Sequence, residues 1–122
     1  MIKEINSLVL AYLGDTIYED YVREYLIKSG IANVNDLQTE SIKYSSAKAQ
    51  CEKLKKLIES DFFTDEELEI IKRARNHKGS SHPRNCDIVT YKYATGLEAL
   101  IGYLKLENKI ERIEEIMKNI LK

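Results

Sequence analysis

The stretch Leu8 to Tyr18, Leu-Val-Leu-Ala-Tyr-Leu-Gly-Asp-Thr-Ile-Tyr, leaves a folding chain little choice of environment. Wound as a helix at about 100° per residue, Leu8, Val9, Leu10, Tyr12, Leu13 and Ile17 spread around most of the circumference. A helix that is apolar nearly all round belongs inside a protein rather than on its surface. Asp15 falls in the middle of it, with no cation within a turn and Arg23 two turns further on. A buried carboxylate without a partner is strongly disfavoured by desolvation, so it is normally paired, protonated or bound to a metal. The stretch therefore predicts a buried first helix carrying a functional acid.

With 122 residues the chain is expected to form one domain, 1–122, with room for a real core but not for a second module. Charged residues make up 32% and apolar ones 43%, with one Pro and five Gly, a balance suited to a soluble, helix-rich fold. No signal peptide, membrane-crossing run or internal repeat is visible. Cys51 and Cys86 are too few for a disulfide framework and suit a reducing compartment, so the expected location is the cytoplasm, with no membrane partner. The net charge of −1 excludes nothing, but its distribution is informative. From Lys72 to Arg84 there are five basic residues, two His and no acid, while acids collect at 61–69 and 107–115.

Capping residues divide the chain into six helices. Asn6 caps the first, with Ile5 and Leu10 placed as a hydrophobic staple, and it runs to about Lys28 with Gly30 past its end. Asn33 to Asp36 caps a second over roughly Val34 to Lys43. Ser45 or Ser46 restarts the chain into a third that reaches Ile58 through good helix formers. Thr64-Asp65-Glu66-Glu67 reads as a capping box opening a fourth, ending near Lys78 with Gly79 as its stop. Ser80 to Cys86 reads as a loop. A fifth helix covers about Asp87 to Leu106, and a sixth Ile110 to Leu121. No alternating strand pattern or hairpin turn appears, so the fold class is all-α.

On the first helix Ala11, Asp15 and Glu19 share one stripe, and on the fifth Ala94, Glu98 and Gly102 share another. Small residues one turn from each acid, with Gly14 and Gly96, allow two helix backbones to approach closely. Facing each other, the stripes bring Asp15 and Glu98 to one point, where two carboxylates repel unless they share a proton or a cation. Magnesium, held by one or two carboxylates with water completing its octahedron, resolves that repulsion and suits phosphate chemistry by activating a water molecule. The plainer alternative makes Asp15 a structural acid bonded to backbone or a Tyr hydroxyl and Glu98 a rim residue. Glu19 is adequately explained by an i, i+4 pair with Arg23.

Leu13-Gly14-Asp15 with Ile17-Tyr18-Glu19, and Thr95-Gly96-Leu97-Glu98-Ala99-Leu100-Ile101-Gly102, resemble the two acidic motifs of the ribonuclease III catalytic domain. Ala11 to Asp15, together with Ser46-Ala47-Lys48-Ala49-Gln50 and Lys72-Arg73-Ala74-Arg75-Asn76, resembles its small branch, Mini-ribonuclease III, which lacks a double-stranded-RNA-binding domain. The resemblance runs in order over essentially the whole chain. It implies that Asp15 and Glu98 are catalytic, metal-binding acids. The ordinary family pattern has two further acids, at the positions held here by Ala11 and Thr95. The implied activity is magnesium-dependent cleavage of double-stranded RNA by metal-activated water attack on phosphodiesters, with manganese able to substitute for magnesium. The implied assembly is a homodimer and the implied substrate the large-subunit ribosomal RNA precursor, with an assisting ribosomal protein left open.

Lys72, Arg73, Arg75, Lys78 and Arg84 form a cationic helix end running into a loop. Capping and dipole complementation account for one or two of them, and five without an acid point to phosphate contact. An A-form duplex is recognised mainly by shape, phosphates and 2′-hydroxyls, which suits such an arm, with Asn76 and His77 available to bond backbone or sugar. Lys48 fits either RNA contact or a solvated face. The basic arm contains no aromatic residue, so a base-stacking platform is not expected. His77, His82, Cys86 and Cys51 match no familiar zinc spacing. The rival readings are a non-catalytic dimeric RNA-binding scaffold on the same fold and a helical interaction module with an incidental buried Asp.

Overall fold

A computed structural model describes residues 1–78 and 84–122. Among them the regular structure is helical throughout. After a 3₁₀ turn at Ile2–Glu4 come α1 (Ser7–Lys28), α2 (Val34–Ser45), α3 (Ala47–Glu59), α4 (Asp65–Arg75), α5 (Ile88–Leu106) and α6 (Ile110–Ile120). The N-terminal turn was not visible as a pattern in the sequence. Gly79 and the segment 80–83, assigned from the sequence to a helix stop and a loop, lie outside the described residues.

The caps act where the sequence places them. Asn6 accepts from the Leu8 amide, Asn33 from Asn35 and Asp36, and Ser46 from Ala49. Asp87, expected as the first residue of α5, is instead its cap and accepts from the Thr90 amide. Thr64 and Glu67 form a reciprocal capping box at the start of α4. Gly30 takes φ +102°, a backbone conformation that suits glycine alone. α4 ends three residues earlier than expected. Ala74 is the last residue of this helix with a buried side chain, and Asn76, His77 and Lys78 bring no apolar group that would pay for a further turn.

The central helix is α5, not α1. From Ala94 to Leu104 every residue except Glu98 is buried, and α1, α3, α4 and α6 all pack around it. α1 instead buries one stripe, Leu10, Gly14, Tyr18, Val22 and Leu26 with Ala11 beside it. Val9 is 56% and Tyr12 84% exposed. Of the apolar residues predicted to wrap α1 in protein, Leu10 is buried, Leu8, Leu13 and Ile17 are half-buried, and Val9 and Tyr12 are left as an uncovered strip in the single chain. α6 closes the core through Ile113, Ile116, Met117 and Ile120. It is tied to α4 by Arg112, which grips both oxygens of the buried Glu67 carboxylate at 2.7 and 2.8 Å and also bonds the Phe62 carbonyl. Burial pushes the Glu67 carboxyl up, but the Arg112 and Thr64 hydrogen bonds outweigh it and hold the group below its ordinary range.

A candidate two-carboxylate active site

α1 and α5 meet backbone to backbone. A Cβ atom on Gly14 would lie 1.7 Å from the carbonyl oxygen of Glu98, and one on Gly102 would lie 2.0 Å from that of Leu10. No side chain fits at either position, so the two glycines hold each other's helix in a fixed register. That register sets Asp15, the residue after Gly14, against Glu98, one turn before Gly102. The expected convergence of the two acids is realised. Gly96, expected to assist it, faces away towards α4, where its Cβ position lies 3.1 Å from Ile71.

The two acids differ in environment. Asp15 is exposed and Glu98 is half-buried, so the enclosed carboxylate anticipated at Asp15 is found at Glu98 instead. Burial, then the adjacent Asp15 carboxylate, pushes the Glu98 carboxyl up to about 8. Gln50 opposes this by donating from Nε2 to Glu98 Oε2 at 3.4 Å. Without a cation, Glu98 therefore holds its proton to a higher pH than an ordinary carboxyl does. Glu19 forms the expected pair with Arg23, at 3.2 Å. The Tyr18 hydroxyl donates to the Tyr44 carbonyl at 2.5 Å. Burial first, then the Glu98 and Glu19 charges, raises its pKa, so it is a fixed neutral donor rather than a base.

Among the described residues no group of three or more His, Cys, Asp or Glu is arranged to hold a metal. The two positions where the family pattern carries further acids offer no carboxylate. Ala11 has no polar side-chain atom, and the Thr95 hydroxyl donates to the Tyr91 carbonyl at 2.9 Å. Two adjacent carboxylates remain, and beside them the Gln50 carbonyl oxygen is buried without a partner. This donor set fits a hard divalent ion that keeps several waters and takes only one or two carboxylates from the protein. It does not fit a closed protein cage. Cys51 and Cys86 are free thiols, and His82 lies outside the described residues.

The basic residues fall into two kinds. Lys72, Asn76, Lys78 and Arg84 are exposed, and none of the four basic residues Lys72, Arg75, Lys78 and Arg84 pairs with a described Asp or Glu. Arg73 bonds the Lys3 and Ile5 carbonyls and the Ser7 hydroxyl, tying the N-terminal turn to α4. Asn76 is the C-terminal cap of α4. The half-buried Arg75 donates to the Tyr93 hydroxyl at 3.1 Å and lies over that ring, and Lys55 of α3 sits 4.8 Å from the centroid of the same ring. Lys55 and Tyr93 were not singled out from the sequence. Their separation of 38 positions from each other hides a cluster that only the packing of α3 and α4 on α5 creates. Lys48 is exposed on α3.

A helical domain that sets one acid from its first long helix against one from its central helix presents two adjacent carboxylates, a donor set of the kind metal-dependent hydrolysis of phosphodiesters uses. The family model described as "Ribonuclease III domain" matches residues 8–109, a span that includes both acids. The chain is 42% identical to the Mini-ribonuclease 3 of Staphylococcus aureus over 98% of this chain and 90% of that protein. It is 47% identical to the Mini-ribonuclease 3 of Brevibacillus brevis over 92% and 82%. A crystal structure of a Fusobacterium nucleatum protein superposes with a TM-score of 0.83 at 37% identity, covering 94% of this chain and 90% of that one. The chain belongs to the Mini-ribonuclease III branch of the ribonuclease III family, and it is an endoribonuclease.

Proposed function

We propose that this endoribonuclease cuts double-stranded RNA as a homodimer, using magnesium held by Asp15 and Glu98, and that it matures the large-subunit ribosomal RNA precursor. The family acts on double-stranded RNA, generally depends on a divalent metal and is typically dimeric. The observation that carries the reading is the Gly14–Gly102 crossing, which forces two carboxylates together at a cost that only a proton or a cation relieves. When bound, a magnesium ion supplies positive charge that acidifies water and offsets negative charge on phosphate oxygens. Glu98 would hold the ion as a carboxylate, its proton passing to solvent, and Asp15 would present a second carboxylate from the solvent side. Manganese satisfies the same oxygen donors.

Lys72, Arg75, Lys78 and Arg84 supply unpaired positive charge for the phosphates of the duplex, with Asn76 as a neutral donor to backbone or sugar. Arg73 spends three of its five N–H groups inside the protein, so it adds charge to this surface while anchoring the N-terminal turn. The exposed Val9 and Tyr12, one turn apart on α1 beside Asp15, support the homodimer, because they offer adjacent apolar side chains to a second copy. An assisting ribosomal protein remains part of the proposal only as an additional partner on the RNA. No helix among the described residues is long and apolar enough to cross a membrane, and a cytoplasmic location is proposed from the two free cysteines.

Incubating the purified protein with a duplex RNA, with magnesium or with chelator, tests the reading. Cleavage is expected with magnesium alone, and Asp15→Asn or Glu98→Gln should each lower it by at least about a hundredfold, a loss of order 3 kcal/mol in transition-state stabilisation. RNA binding by both variants should persist. Undiminished turnover by either variant removes that residue from the mechanism.

A further inference from the structure

Gln50 is 3% exposed and lies on α3, yet its side-chain amide nitrogen serves other elements. Its Nε2 donates to the Ser45 carbonyl at 3.2 Å, at the corner between α2 and α3, and to Glu98 Oε2 at 3.4 Å. Its Oε1 is buried and has no hydrogen-bond partner among the described residues. A buried amide oxygen without a donor carries a desolvation cost of about 1–3 kcal/mol. A core position at this site would be served better by Leu or Met if packing were its only task.

We infer that Gln50 is a positioning residue for metal binding: it orients the Glu98 carboxylate towards Asp15 and offers its free carbonyl oxygen to a water ligand of the ion. The inference rests on the reading of Asp15 and Glu98 as the metal-holding pair. The neutral amide suits both tasks. One end donates to a carboxylate that must be ionised to bind, which favours that ionised form. The other end is an acceptor, and water bound to a divalent ion is a strong donor in search of one. A third carboxylate in this place would donate nothing to Glu98 and would repel it. Hydrogen-bonding partners of metal-ligating residues typically change metal affinity or activity by about 10–100-fold when removed.

The test uses the intact protein and manganese(II) chloride, with free and bound manganese distinguished by electron paramagnetic resonance. Gln50→Leu keeps the volume and removes both polar atoms. Its manganese affinity is expected to fall by about tenfold or more, with kcat reduced and KM for duplex RNA unchanged. RNA binding in calcium should match wild type, since no RNA contact is lost. Gln50→Glu is expected to lose kcat as severely, because the donor to Glu98 is gone. Manganese affinity and kcat of Gln50→Leu both within about twofold of wild type would overturn the inference and leave Gln50 as a brace for the α2–α3 corner.

A measurement on the unsubstituted protein covers the case in which Gln50→Leu does not fold. The Gln50 side-chain amide resonance should shift on titration with magnesium and saturate together with metal binding, whereas an unmoved resonance contradicts the assignment. Asp15→Asn and Glu98→Gln measured in parallel separate the two levels of the argument. If both bind manganese as wild type does, the metal reading itself has failed. If they do not and Gln50→Leu does, only the role of Gln50 has.

Discussion

At the scale of single residues, the proposed chemistry rests on an unequal pair. Asp15 faces solvent while Glu98 is half enclosed, and burial with the nearby Asp15 charge brings the Glu98 carboxyl up to about 8 from an ordinary value of 4.5. Below that ordinary value the group is protonated in folded and unfolded chains alike. Between it and about 8 the folded chain holds a proton that the unfolded chain has lost, so metal-free stability falls as pH rises through this window and levels off above it. In chelator, the melting temperature of Glu98→Gln should therefore gain on wild type steadily from about pH 5 to pH 8, a constant difference across that range being the contrary result. Asp15 and Glu98 were readable from the sequence because each sits on a helical stripe of small residues. Which of them is enclosed was not readable, since that depends on α5 being the element surrounded by others. Gln50 stood within the motif Ser46 to Gln50, but its partner Glu98 lies 48 positions away, and no local pattern announces such a contact.

At the scale of elements, the two acids of the candidate site meet because two helices touch without side chains between them. Gly14 and Gly102 face the opposing backbone at distances no Cβ can occupy, whereas Gly96 meets the edge of Ile71 at 3.1 Å and Gly30 meets nothing within 4 Å. The four Gly→Ala variants should rank accordingly in denaturant unfolding. Gly14→Ala and Gly102→Ala should each lose at least about 3 kcal/mol, the upper range for overpacking, since backbone cannot swing aside. Gly96→Ala should fall well short of that, and Gly30→Ala should cost about 1 kcal/mol through its positive φ alone. Equal losses at Gly14 and Gly30 would mean that the crossing is not tight. The six helices and most of their caps were legible because capping is local chemistry. The exchange of roles between α1 and α5 was not, because hydrophobicity states that a face is covered without stating by what. On α1 the surplus apolar face stays open in the single chain.

At the scale of the whole molecule, Lys72, Arg75, Lys78 and Arg84 pair with no described Asp or Glu, while acids collect elsewhere along the chain, at 61–69 and 107–115. Replacing Lys72, Arg75 and Lys78 together should weaken duplex binding and flatten its dependence on salt by about one unit of slope per lost phosphate contact. A slope equal to that of wild type would reduce these residues to helix-end capping. The open strip on α1 lies beside Asp15, so in the proposed homodimer the two sites approach the shared interface while each remains complete within its own chain. Asp15 and Glu98 of one chain already meet. A tethered dimer carrying Asp15→Asn in one subunit and Glu98→Gln in the other tests this directly. Sites built within each chain leave neither subunit with both acids, so that dimer should cut neither strand, while a tethered dimer of wild type with Asp15→Asn should nick one. Single-strand nicking by the doubly substituted dimer would show that a partner completes the site, and would contradict the account.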